Sequence, residues 1–159
     1  MLNARPIVVD DVDEVFNHTY RLAMRTGSTS SFVLTKDLLL SSLFGSNADW
    51  YGLVVTENQQ VIGSCLYSFV NINRTFNLTK CLFLDILFVE PEYHGLGIGE
   101  MLIKHLERIA QVQGINRIEF WCMKDNIGAI EFYKKMGAKR IDLLDVYNIT
   151  LKSDIINHD

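Results

Sequence analysis

The chain is short of the features that brace small or extracellular proteins. Its 159 residues include three cysteines, Cys65, Cys81 and Cys122, which are odd in number, far apart and set in apolar runs. There is no Cys-x-x-Cys and no His-x-x-x-His spacing. A disulfide frame and a metal site are therefore not expected, and buried free thiols in a reducing compartment are. No apolar run reaches the roughly 18 residues that a membrane span needs, and the opening MLNARPIVV lacks the apolar stretch of a signal peptide. The expectation is a cytoplasmic chain with no membrane partner. Positive charge is scarce as well. Lys and Arg number 15 against 19 Asp and Glu, for a net charge of −4, and protonating all four histidines would bring the formal charge only to zero. A nucleic-acid partner is not expected, and a cationic substrate is mildly favoured.

What is present is a globular composition, 48% apolar and 21% charged, long enough for one domain over residues 1–159 with a substantial core. Residues 4–9 read as a short strand, after which Asp10 or Asp11 caps a helix carrying Val12, Val15, Phe16 and Tyr20 near one face. The small polar loop Ser28 to Val33 reads as a connection. A second helix starts at Thr35 and closes at Gly45. DWYGLVVTE and QVIGSCLYSFV, joined through Asn58-Gln59-Gln60, have the spacing of a β-hairpin. NINRTFNLTK reads as a loop, CLFLDILFV as a long strand, NRIEFWCM as another, DNIGAIEFYKKMG as a helix, and DVYNITL as a last strand. This order predicts one α/β domain with a mixed, mostly antiparallel sheet and a strand-helix-strand crossover in its second half.

The most informative stretch is Leu84 to Gly99, LDILFVEPEYHGLGIG. An apolar run of strand length ends at Pro91, which has no N–H for a ladder. Gly95, Gly97 and Gly99 then lead into a helix with Met101, Leu102, Leu106, Ile109 and Ala110 at helical spacing, ending at Gly114. Glycines at a helix N-terminus let an anion approach unpaired N–H groups at the positive end of the helix dipole, which makes a phosphate cradle. A Rossmann fingerprint fits poorly, because the spacing is Gly-x-Gly-x-Gly and the next strand has no carboxylate until Asp125. A P-loop also fits poorly, because Glu100 follows Gly99.

Three stretches in order, His94-Gly95-Leu96-Gly97-Ile98-Gly99, Asn126, and Phe132-Tyr133-Lys134-Lys135-Met136-Gly137, resemble the signature of the GNAT (GCN5-related) N-acetyltransferases. Within that family the chain looks most like the diamine (spermidine/spermine) acetyltransferases, from LTKDLL near Leu34 to about Asp154. Family members have Arg where this chain has His94, and many have a Glu-Asp pair where it has Asp85-Ile86. The resemblance implies a sheet of about six to seven strands flanked by about four helices. It also implies acetyl-CoA as co-substrate without a metal, a small-molecule amine as acceptor, and a homodimer.

On this reading residues His94, Gly95, Leu96, Gly97, Ile98, Gly99 and Glu100 hold the pyrophosphate, largely through their N–H groups, and Lys135 is a candidate for the adenosine phosphates. The pantetheine arm lies along the strand through Leu87, Phe88 and Val89, where an N–H near Leu87 or Phe88 faces the thioester oxygen. A primary amine with a pKa of about 10.4 is about 99.9% protonated at neutral pH and needs a base. Asp85, a lone acid in an apolar strand, is the candidate. Tyr133 is the candidate acid for the departing thiolate, with Asn126 seven residues earlier and so on the same helical face. Two alternatives stand beside transfer to a small amine. One is transfer to a protein N-terminus or lysine, and the other is a non-catalytic acyl-CoA sensor.

Overall fold

The computed structural model describes residues 1–73, 78–142 and 145–149, with the backbone alone at 72, 73, 78 and 79. Five strands form one sheet in chain order: β1 (Asn3–Pro6), β2 (Tyr51–Glu57), β3 (Gln60–Asn73), β4 (Leu78–Val89) and β5 (Ile118–Phe120). Neighbours from β1 to β4 are antiparallel, and β5 runs parallel to β4. Four helices accompany them: α1 (Val12–Arg25), α2 (Lys36–Phe44), α3 (Ile98–Val112) and α4 (Ile127–Lys135). The mixed sheet and the crossover through α3 match the expectation from the sequence.

Side-chain alternation along the strands sorts the core into two layers. Leu53 and Val55 of β2 join Ile98, Leu102, Leu106 and Ala110 of α3 on one face of the sheet. Val54, between them, joins Val12 and Val15 of α1 and Leu39 of α2 on the other. Phe132 and Tyr133 of α4, and Met136 just after it, pack against the α3 layer. A strand covered on both faces reads as a continuous apolar run, which is why GLVVT shows no period of two.

The structure differs from the expectation at several points, among them β5, which spans only Ile118–Phe120 of the expected strand NRIEFWCM. Among the described residues there are five strands rather than six to seven. Residues 145–149 of the expected last strand carry none, and 150–151 lie outside the described residues. β1 stops at Pro6, because Val9–Asp11 turns into a short 3-10 helix. The presumed loop 71–80 is largely ladder, with Asn71 opposite Lys80 and Asn73 opposite Leu78. Its polar residues extend the hairpin beyond the core, where strand pairing needs no apolar face.

Asp11 precedes α1 but makes no side-chain cap. Its carboxylate instead takes the Arg5 guanidinium at 2.6 and 2.9 Å and the Val8 N–H at 2.9 Å. These contacts outweigh its burial and hold its pKa below the usual carboxylate value. Thr35 does cap α2, accepting from the Leu38 N–H at 3.1 Å. The β2–β3 turn places Asn58 and Gln59 at φ +50° and +68°, with Glu57 opposite Gln60, the left-handed two-residue turn that matches strand twist.

Leu102 is fully buried where α3 meets the sheet. Leu102→Ala is expected to lower unfolding stability by about 2–5 kcal/mol, read by urea denaturation. A loss under about 1 kcal/mol would mean that α3 does not seal this layer.

Candidate active site

β4 is in register with β5 only from Leu82 to Leu84, opposite Ile118 to Phe120. There β5 ends, while β4 continues to Val89. The gap beside Asp85 to Val89 opens into a cleft of about 1220 Å³, walled by the start of α3, by residues 121–129 and by the inner side of α4.

Along β4, Leu66 of β3 stands opposite Ile86 and Tyr67 opposite Leu84, so Asp85 is the extra residue of a bulge. The bulge breaks the alternation. Leu84 and Leu87 pack in the α3 layer, while Ile86 packs in the α1 layer. Asp85 is thereby turned toward Ser68, whose hydroxyl donates to its Oδ2 at 3.3 Å. Burial pushes the Asp85 pKa up to about 6 against the pull of that hydrogen bond, and the nearby charge of Asp49 adds to the rise. Asp49, 36 positions earlier in the chain, is thus a second acid close enough to Asp85 for its charge to be felt, and no motif revealed it.

The direction of the β4 backbone follows from one bond. The Glu90 N–H donates to the Ile62 carbonyl of β3 at 2.9 Å. Backbone groups alternate along a strand, so the Phe88 N–H also points to β3, and the N–H groups of Leu87 and Val89 point into the cleft. Of the two expected donors, Leu87 is therefore the one that faces the gap. The Phe88 ring is turned away and stacks on His18 at 4.5 Å.

The turn after β4 is pinned at three points. Arg21 of α1 holds Glu90 through both guanidinium nitrogens. The Tyr93 hydroxyl donates to Glu57 at 2.9 Å, and His94 Nε2 meets the Val89 carbonyl at 2.9 Å. His94 therefore braces the turn with the nitrogen that would otherwise reach outward. Gly95 and Gly97 take φ of +78° and +82°, which favours glycine. Gly99 is needed for a different reason, since a Cβ there would lie 3.0 Å from the Phe132 ring. Among the described residues no backbone carbonyl takes the N–H groups of Gly95, Gly97, Ile98, Gly99 or Glu100. Leu96 departs from the expectation. Its side chain is 63% exposed, its N–H donates to the Tyr93 carbonyl at 3.3 Å, and it does not line the cleft.

Asn126 and Tyr133 both line the cleft, but not as two turns of one helix. Asn126 is the N-cap of α4, with φ −81° and ψ +71°, and its Oδ1 accepts from the Ala129 N–H at 3.3 Å. The Tyr133 ring stacks on Phe120 at 4.0 Å, and burial raises the phenol above its ordinary pKa. Lys135 lies at the cleft, and Glu100 pairs with Lys104 at 2.7 Å. Every residue expected at the site except Leu96 lines this one cleft. The sequence reading missed its far wall. Ser28, Ser31 and Phe32, read as a connection, line it, as does Trp121, which is 77% exposed and set edge-on to Phe83.

A sheet whose parallel strands part beside a glycine-bounded helix N-terminus is an α/β architecture that can seat an extended, phosphate-bearing ligand. The family model described as "Acetyltransferase (GNAT) family" matches residues 13–138, and the chain belongs to that family. Spermidine/spermine N(1)-acetyltransferase-like protein 1 of Homo sapiens is 30% identical over 135 residues, which is 80% of this chain and 19% of the relative. Thialysine N-epsilon-acetyltransferase of Sus scrofa is 26% identical over 114 residues, 67% of this chain and 65% of the relative. The chain thus spans less than two thirds of the length of either. A predicted acetyltransferase of Clostridium acetobutylicum, solved with acetyl-CoA, shares the fold with TM-score 0.76 at 22% identity, covering 93% of this chain and 96% of that one.

Asp85 carries a stability cost with a definite sign. Its folded pKa of about 6 lies above the ordinary aspartate value of 3.8, so the folded state binds the extra proton between those values and the penalty is fully present above about pH 6. Asp85→Asn is expected to raise unfolding stability at pH 7.5 by on the order of 1–3 kcal/mol, and the gain should vanish near pH 4. Denaturation at the two pH values tests it, and a stability loss at pH 7.5 would refute it.

Proposed function

We propose that the protein is an acetyl-CoA-dependent N-acetyltransferase acting on a primary amine of a small molecule of the diamine or lysine-like kind. The observation that carries this reading is the parted β4–β5 cleft, with unpaired N–H groups of a helix N-terminus at one end and a half-buried acid and phenol inside it. The free N–H groups of Gly95 and of Gly97 to Glu100 suit a pyrophosphate. The cleft-facing edge of β4 suits an extended chain of amides, which pairs as an added strand would. Acetyl-CoA supplies the thioester that is attacked.

Each step then uses a residue of this chain. The amine arrives as an ammonium ion, drawn by Asp85 and Asp49. Asp85 takes its proton, directly or through water. A base of pKa about 6 narrows the proton-affinity deficit against the amine by about 3 kcal/mol relative to an ordinary aspartate. The freed nitrogen attacks the carbonyl carbon, and the Leu87 N–H stabilises the oxygen as it becomes negative. The carbon–sulfur bond then breaks, the thiolate takes the Tyr133 phenolic proton, and the second proton that the amide nitrogen sheds returns through water to the phenolate, while Asp85 releases its proton to solvent. A phenol whose pKa lies above the ordinary value stays protonated over the working pH range and is always ready to donate. The names of the spermidine/spermine-like and thialysine relatives support an acceptor with a terminal ammonium group.

The primary test is CoA release from acetyl-CoA with spermidine, thialysine and a short lysine peptide, each against a control without amine. Release driven by the small amines and not by the peptide is expected. Release driven by the peptide alone would move the acceptor to protein, and acetyl-CoA binding without release would make the chain a sensor. Tyr133→Phe is expected to keep acetyl-CoA binding and lose turnover by on the order of 10²-fold. Turnover equal to that of the parent would remove Tyr133 from the chemistry. For Asp85→Asn the rate should fall most at neutral pH and recover partly as pH rises toward the amine pKa, and a uniform loss across pH would argue against a base.

A further inference from the structure

His18 lies in the middle of α1 and is completely buried, yet its Nε2 has no hydrogen-bond partner. An imidazole sealed from water would normally satisfy both nitrogens. Here Nδ1 is satisfied, 2.8 Å from the buried Ser64 hydroxyl. Nε2 faces two carboxylates instead, Glu90 Oε1 at 3.3 Å and Glu14 Oε1 at 3.5 Å. All three atoms lie within 4.8 Å of one another.

Those two separations are long for hydrogen bonds but suit a shared cation. Ligand atoms about 2.0–2.1 Å from a tetrahedral zinc ion lie about 3.4 Å apart along each edge of the tetrahedron. The surroundings also have the character of a metal site's outer shell. The Ser64 hydroxyl can accept from Nδ1 or donate to it, and in the tautomer with the proton on Nδ1 the Nε2 lone pair is free to coordinate. Arg21 grips both oxygens of Glu90, Nη1 on Oε1 at 2.5 Å and Nη2 on Oε2 at 2.8 Å, and fixes the carboxylate's orientation. Each carboxylate oxygen has a second lone pair, so Oε1 can accept from Arg21 and still bind an ion. The Phe88 ring stacked on His18 locks the imidazole plane. Glu14 is 44% exposed, which gives the ion a way in and the third ligand room to close.

We propose that Glu14, His18 and Glu90 form a binding site for a first-row divalent transition ion of the zinc type, which ties α1 to the end of β4 beside the cleft. The imidazole excludes an all-oxygen cage of the calcium or magnesium kind. The site is separate from the proposed transfer chemistry and does not depend on it. Glu14 and His18 stand four residues apart on one helix face, while Glu90 comes from the far end of β4, so no sequence motif announces the set.

The test is calorimetric titration of ZnCl2 into the full chain after chelator treatment, with thermal unfolding in parallel. One zinc per chain is expected, with a rise in Tm, and CoCl2 in its place should give visible absorption bands. Glu14→Gln is the deciding variant, because a half-exposed side chain can be changed without opening the core. It should weaken zinc binding about tenfold or more and abolish the Tm rise, and His18→Gln should abolish binding if it folds. Absence of zinc binding, or zinc binding equally tight in Glu14→Gln, would overturn the proposal.

Discussion

The parting of β4 from β5 is the constraint on which the rest of this structure depends. A sheet normally satisfies every backbone N–H and carbonyl by continuing its ladder. Here the ladder stops at Phe120, and the cleft-facing groups of β4 beyond the bulge are left for something else. On one side the bulge at Asp85 redirects β4. On the other, the stack of Phe120 on Tyr133 fixes the end of β5 to α4. Val89 gives its carbonyl to His94, so the unpaired edge is bounded just where the glycine turn begins. An extended ligand bearing amides would complete the sheet that the protein leaves open.

The electrostatics follow from the same opening. Asp85 is drawn into an apolar strand by the bulge and remains there at a cost, visible in a pKa raised mainly by burial. The glycine turn achieves the opposite with neutral groups, presenting unpaired N–H donors at the positive end of α3. An anion is thus favoured at one end of the cleft and a cation at the other, as expected if a phosphate-bearing donor meets an amine. The turn itself is held by Arg21, Glu90, Glu57 and Tyr93, so α1 and β2 set the position of the cradle as much as α3 does.

Much of this was legible in the chain. The glycine turn, the helix it starts, the second-half crossover and the capping Thr35 rest on local rules, because a left-handed φ or a helix end is decided within a few residues. The candidate site was legible to the same extent, since the glycine turn, Asn126 and Tyr133 carry a recognisable order. Local rules failed where a partner far away decided the outcome. Asp11 looked like a cap until Arg5 claimed its carboxylate. Asn126 looked like a helical residue until α4 began one position later. Polar residues 71–80 looked like a loop because composition reports burial and not pairing.

The sequence by itself determined the order of the helices and strands up to α4 and the glycine turn that starts α3, because backbone geometry and hydrophobic periodicity are properties of neighbouring residues. Only the tertiary structure decided which N–H of β4 faces the cleft, that His94 turns back on Val89, that Asp49 lies near Asp85, and that Glu14 and His18 meet Glu90. Each of these depends on strand register or on the packing of a helix against the sheet. Register and packing are set by the sum of many weak contacts across the fold, which no short stretch of sequence contains.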